Sequence, residues 1–231
     1  MRKIIPLPFF IALFLLCLAQ QSDAQKKLNQ GKAIFDITYP DAELDEQTLA
    51  MMPTQSTLYF KDQFSRTEMK IAMGTTIVIT DGKSGVATML MDMMGNKIAM
   101  KTTKADIEKE KKKIGKIKTV VKITGETKTI AGYLCKKAEI TVKMKDSSDV
   151  KSSVWFTNEI SAPNSMRSGG GDFEEIDGFM MEYQTQMDKL TMKMTCMSAI
   201  ETTVSDSLFT IPPGYTVTTM DDLKEMMGGA H

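Results

Sequence analysis

The side chains with the most chemical potential in this chain are soft sulfur donors. It holds 21 methionines and three cysteines in 231 residues, against one histidine, His231, at the far C-terminal end. No Ser-His-Asp, Cys-His or histidine–zinc arrangement can therefore be assembled inside a folded core. Glu174 and Glu175 supply neighbouring carboxylates, but they follow a glycine-rich stretch and read as part of a solvated loop. Ser168-Gly169-Gly170-Gly171 lacks the Lys-Ser/Thr ending of a phosphate loop. These patterns predict no catalytic residue, no cofactor and no metal site, and the chain reads as non-enzymatic.

The methionines cluster as Met69 and Met73; Met89, Met91, Met93 and Met94; Met180, Met181 and Met187; and Met192, Met194 and Met197. A spacing of two, as in Met89/Met91/Met93 and Met192/Met194, lines one face of a strand. Three roles stay open. They fill a core where other chains use Leu or Ile, or they form an adaptable surface for an apolar ligand, since an unbranched thioether repacks around variable shapes. The third role is Cu(I) binding, which thioethers support; the lack of an internal histidine argues against it. The candidate ligand-lining residues are Met89, Met91, Met93, Met181, Tyr183, Met192 and Met194.

Cys135 and Cys196 face a similar choice. An oxidising compartment favours a disulfide between them, and its loop of about 60 residues would stabilise the fold by roughly 4 kcal/mol. Simple alternation opposes it, because Cys135 then points away from Ala138 and Ile140 while Cys196 shares the face of Met192 and Met194. A bulge near Lys136 would remove that objection.

The elements that must position these residues are mostly strands. Phe35, Ile37 and Tyr39 alternate with Asp36 and Thr38, and further runs start at Leu58, Ile71, Thr88 and Lys97. Asp81-Gly82 and Gly95-Asn96 supply turns between neighbours, so this is an antiparallel meander. Ala138, Ile140 and Val142 continue the pattern, Val154 to Thr157 holds the only tryptophan, and Phe179 to Met187 forms a hairpin with Leu190 to Cys196. Two segments break the period: residues 42–52, ending before Pro53, and residues 103–114, with Thr103 as N-cap and Asp106 in the capping-box position. About eight strands with one apolar face each, and only two thin helices to cover them, predict a mainly β fold of the α+β type: a strongly curved antiparallel sheet or half-open barrel.

The N-terminus reads as an export signal. Arg2 and Lys3 precede an apolar stretch from Phe9 to Leu16, and Ser22-Asp23-Ala24 places small residues before a cut at Gln25. The stretch is too short to span a bilayer, which takes about 20 residues. Cys17 would be a lipidation site only if small residues preceded it, and Phe14, Leu15 and Leu16 are bulky. The expected product is exported, periplasmic or secreted, with no transmembrane segment in the mature chain. Residues 1–24 form the signal, 25–30 a short tail, 31–217 a single curved-sheet domain and 218–231 a helical or frayed tail. With 29 basic against 29 acidic residues the chain has no charge bias toward nucleic acid. Residues 109–118 (KEKKKIGKIK) form a local basic patch, either a solvated helix face or a contact for anionic lipid head groups.

Several strings resemble a known family. Ser65-Arg66-Thr67-Glu68-Met69, Thr129-Ile130-Ala131-Gly132-Tyr133-Leu134-Cys135, Val154-Trp155-Phe156-Thr157 and Phe209-Thr210-Ile211-Pro212-Pro213-Gly214-Tyr215 are together similar to the exported bacterial domain of unknown function four-four-one-two. The Phe-x-x-Pro-x-Gly-Tyr ending and Asp81-Gly82-Lys83 also look like the LolA/LolB lipoprotein-carrier superfamily. The resemblance implies a curved sheet whose concave side is plugged by helices, the side that holds acyl chains in the carriers. The leading expectation is a domain that binds an apolar or lipid-like ligand or an envelope protein partner. A structural or adhesive envelope protein without a cavity is the alternative.

Overall fold

In a computed structural model, residues 27–40, 45–72, 74–93, 95–114, 118–143, 149–161, 163, 176–187, 190–219 and 222 are described. The leader with Cys17, the glycine-rich stretch at 168–171, Glu174, Glu175 and nearly all of the C-terminal tail lie outside them.

Among the described residues, twelve strands form one sheet. In chain order they are β1 (Gln30–Thr38), β2 (Gln55–Lys61), β3 (Phe64–Ile71), β4 (Gly74–Asp81), β5 (Val86–Met93), β6 (Asn96–Thr102), β7 (Lys118–Ile130), β8 (Tyr133–Lys143), β9 (Val150–Thr157), β10 (Phe179–Met187), β11 (Leu190–Ile200) and β12 (Thr216–Thr219). Helix α1 (Glu46–Met51) joins β1 to β2, and α2 (Lys104–Ile114) joins β6 to β7. The sheet order is β12-β6-β5-β4-β3-β2-β1-β11-β10-β9-β8-β7, antiparallel except for the parallel β12–β6 pair. The count exceeds the eight or so expected because β7 mixes Lys and Thr with adjacent Val120 and Val121, hiding its period. Asp62-Gln63 forms the turn between β2 and β3, and the run expected to start at Ile71 is divided between the end of β3 and β4.

The sheet curls strongly. Strands lie about 4.8 Å apart, so β2 and β10, three places apart in the order, would be ~14 Å apart if flat. The rings of Phe60 on β2 and Phe179 on β10 nevertheless meet at 5.3 Å. Tyr133 on β8 donates its hydroxyl proton to the carbonyl of Ala199 on β11 at 3.0 Å, again across two intervening strands. The link from β6 to β7 sets the same limit. Ten strand spacings span ~48 Å, whereas eleven helical residues and a handful of extended ones reach at most ~35 Å. Strands β6 and β7 must therefore lie closer together than in a flat sheet.

Local chemistry fixes these elements, including the cap expected for the second helix. Asp106 Oδ2 accepts from the Thr103 amide at 2.8 Å while Thr103 Oγ1 accepts from the Asp106 amide at 3.3 Å, a reciprocal capping box. Asp45 caps α1 by accepting from the Thr48 amide. The turn of the Ile-Ala-Gly-Tyr string puts both Ala131 (φ 49°) and Gly132 (φ 88°) in the left-handed region, as a two-residue hairpin with the right twist requires.

Three clusters form the core. The largest joins Phe35, Leu58, Phe60, Ile130, Cys135, Ile160, Phe179, Met181, Met192, Met194 and Cys196 inside the curl. A second gathers Ala138, Ile140, Val142, Val154, Phe156, Ile176 and Met180. The third lies on the convex side: Ile77, Ile79, Leu90 and Ala99, covered by Phe209, Ile211 and Tyr215. The Phe-x-x-Pro-x-Gly-Tyr string is thus a strap that returns across the outer face and delivers β12 to β6. Arg66, buried on that face, donates Nη1 to the Leu208 carbonyl at 3.1 Å and Nε to Glu68 at 2.6 Å, pinning the strap.

Candidate functional site

Cross-strand partners share a face, so the register maps the concave surface directly. One row runs Cys196, Phe35, Ser56, Met69, Thr76, Met91, Ile98 from β11 to β6. The next runs Ala199, Ala33, Leu58, Thr67, Val78, Met89, Met100. Tyr183 faces Met194, which faces Ile37. All the candidate ligand-lining methionines with described side chains therefore look into the same hollow.

Their cover differs. Met181 (0% exposed), Met194 (5%) and Met192 (8%) belong to the large core cluster, packed with Phe35 and Phe179. Tyr183 packs against that cluster, edge-on to Phe35 with ring centroids at 6.2 Å, and burial pushes its hydroxyl up to about 12. Met89 and Met91 are half-buried and belong to none of the three clusters. Met69, half-buried beside them, touches only the margin of the large cluster. The side chain of Met93 lies outside the described residues. The register thus unites the two methionine sets on one surface, and the curl closes over one set while leaving the other partly open.

Met69, Met100, Thr67, Thr76 and Ser56 also belong to this surface. The alternation Ser65, Thr67, Met69 against Arg66, Glu68, Lys70 was the signal available for two of them. Ser56 gives no signal in the sequence. Its Oγ is the buried side-chain polar atom without a hydrogen-bond partner among the described residues.

Helix α1 buries no side chain, and in α2 only Ile107 is even half-buried among the side chains described. The basic residues 109–118 fall on α2, the undescribed link after it and the start of β7.

The two cysteines stand as free thiols in the same core cluster. In β8 the buried position switches from Cys135 to Ala138, Ile140 and Val142, opposite a register shift in β7 between Ile123 and Thr127. This irregularity removes the alternation objection and turns Cys135 inward. Burial pushes both thiols up to about 11. Each Sγ instead lies 3.4 Å from a backbone oxygen of its own strand, Tyr133 for Cys135 and Ser198 for Cys196.

Elsewhere, a cleft of about 470 Å³ lies on the convex side between Lys61, Asp62, Phe64, Asp206, Phe209 and Thr210. The Lys61–Asp206 ion pair at 2.7 Å ties its walls together, as part of the strap's attachment. No group of three or more His, Cys, Asp or Glu is placed to hold a metal among the described residues, and no described helix is long and apolar enough to cross a membrane.

A family model described as a domain of unknown function, DUF4412, matches residues 46–215. Among solved structures, the crystal structure of LprF from Mycobacterium bovis is similar at 13% identity and a TM-score of 0.33, covering 83% of this chain and 95% of that one. No curated protein matches.

Proposed function

The chain belongs to the DUF4412 family of domains of unknown function, and we propose that it is an exported, non-enzymatic domain whose concave sheet face binds an apolar or lipid-like ligand. One observation carries the proposal: Met69, Met89 and Met91 stand half-buried on the inner face of a curled sheet, with Met89 and Met91 outside every core cluster. A side chain of this type hidden by a ligand contributes about 1.5–3 kcal/mol, so a few can hold an acyl chain after ordering costs. The reading of residues 1–24 as an export leader cut at Ala24-Gln25 supports activity in the envelope or beyond it. The packed core around Phe60 and Phe179 supports the second reading, a structural envelope protein that uses the same methionines only as filling.

Mass spectrometry of organic extracts from the mature protein, purified from its native envelope, separates the two. Stoichiometric lipid, lost in the Met89→Lys/Met91→Lys variant, is expected from the first reading. A lipid-free wild type that also ignores a fluorescent fatty-acid probe leaves only the second.

A further inference from the structure

Among the described residues, Ser56 holds the orphaned buried hydroxyl: the residue is 1% exposed and its Oγ meets no partner. A buried polar group without a partner is costly, and native folds seldom keep one without a use. Its position gives the use. Ser56 sits on the concave face between Phe35, which belongs to the closed core, and Met69, which is half-buried at the edge of the open surface. Beyond Met69 the row continues through Thr76 to Met91 and Ile98. Met69, flexible and unbranched, is the cross-strand neighbour of Ser56 on the open side.

We propose that Ser56 Oγ donates a hydrogen bond to the ester carbonyl of an acyl-ester lipid whose chain lies over Met69, Met89 and Met91. This rests on the ligand-binding reading above and names the ligand class. The acceptor must be neutral, because Phe35, Leu58 and Met69 surround the site with apolar surface that penalises a buried charge. Hydrocarbon must continue from it along the methionine rows. An acyl ester joins a neutral acceptor to a hydrocarbon chain, the pairing that Ser56 and the methionine rows present.

The test displaces a bound fluorescent fatty-acid probe with 1-palmitoyl-lysophosphatidylglycerol and with its 1-O-hexadecyl ether analogue, which shares the head group and lacks the carbonyl. Wild type is expected to favour the ester about tenfold, equivalent to about 1.4 kcal/mol. Ser56→Ala should bring the ester down to the ether's affinity, leave the ether unchanged, and keep or raise the thermal midpoint of the free protein. Ser56→Cys, with its weak donor, should fall between. Equal wild-type affinity for the two lipids, or a preference that survives Ser56→Ala, overturns the assignment while the ligand-binding reading stands. A Ser56→Ala protein that does not fold also overturns it, because the hydroxyl then serves the empty fold. Failure of wild type to bind probe and both lipids overturns the ligand-binding reading itself.

Discussion

The β10–β11 hairpin and the β3–β6 wing carry methionines with the same spacing, on the same face of one sheet, and put them to different uses. In the hairpin, Met181, Met192 and Met194 are locked against Phe35, Phe179 and Cys196. In the wing, Met89 and Met91 share their rows with Thr67, Thr76 and Val78 and stay half-buried. The difference comes from the opposite wall. The curl brings β2 and β10 together, so aromatic rings meet over the hairpin. The wing continues away from that closure, and its own tight packing is on the convex side, under the strap. Alternation decides which face a side chain joins, and long-range curvature decides whether anything covers it.

Charge insertion breaks this comparison most forcefully. Met192→Lys/Met194→Lys puts two unpaired ammonium groups into a closed aromatic core, which should cost at least 3–5 kcal/mol and leave the domain unfolded. Met89→Lys/Met91→Lys can hydrate its charges on the half-open face, so destabilisation should stay near ~1 kcal/mol while probe binding is lost. Circular dichroism melts of the two variants check this. Unfolding of both to the same degree would show that the wing is as closed as the hairpin.

Methionine oxidation reads the same contrast without mutation. Mild peroxide treatment of the folded protein, followed by peptide mass spectrometry, should convert Met69, Met89 and Met91 to sulfoxides well before Met181, Met192 and Met194, by roughly tenfold in rate. Bound lipid should protect the wing set selectively. Uniform oxidation across both sets would erase the distinction.

The fold class was legible because its signals are local: period-two apolar residues, the Asp-Gly and Gly-Asn turns, and Thr103 with Asp106 for the second helix. The residues of the inner face were legible for the same reason, as alternation assigned Met89, Met91, Met192 and Met194 to one side. Which of them would be buried was not legible, because that depends on Phe60 meeting Phe179 across three strand positions. The inward turn of Cys135 depends on an irregularity facing β7, and no residue type marks it. Ser56 was invisible because an unpartnered hydroxyl is defined by its surroundings. The role of the Phe209–Tyr215 string as a strap needed the parallel β12–β6 pairing, which joins segments more than a hundred residues apart.

Alkaline pH should loosen the hairpin side selectively. Burial holds both thiols at about 11 in the folded state, above the ordinary value of 9.0. Below pH 9 the thiols are protonated in both folded and unfolded chains, and their contribution is fully present. It is lost as pH rises through 11, because the unfolded chain releases its protons first. The thermal midpoint should therefore fall between pH 9 and 11, and a Cys135→Ala/Cys196→Ala variant should show a shallower fall over the same window. The wing contributes no such group, so probe affinity per folded molecule should not change with the thiols. An unchanged slope in the double variant would mean that the thiols are not buried in the protonated form.

The smallest effect concerns the turns that end the two regions. The β5–β6 turn of the wing uses Gly95 at φ 88°, where no side chain is strained. The β7–β8 turn, which leads into Tyr133 and Cys135 of the packed side, holds Ala131 at φ 49° before Gly132. Alanine pays a steric penalty in the left-handed region of about 1 kcal/mol. Asparagine tolerates that region, and Asn-Gly is the preferred pair for a two-residue hairpin turn. Ala131→Asn should therefore stabilise the domain by about 0.5–1 kcal/mol, raising the thermal midpoint by a few degrees. Since Ala131 is exposed and far from the methionine rows in the sheet order, affinity for the probe should stay constant. A midpoint that does not rise would mean that the turn relaxes away from the left-handed pair in solution, weakening the link between this hairpin and the inward placement of Cys135.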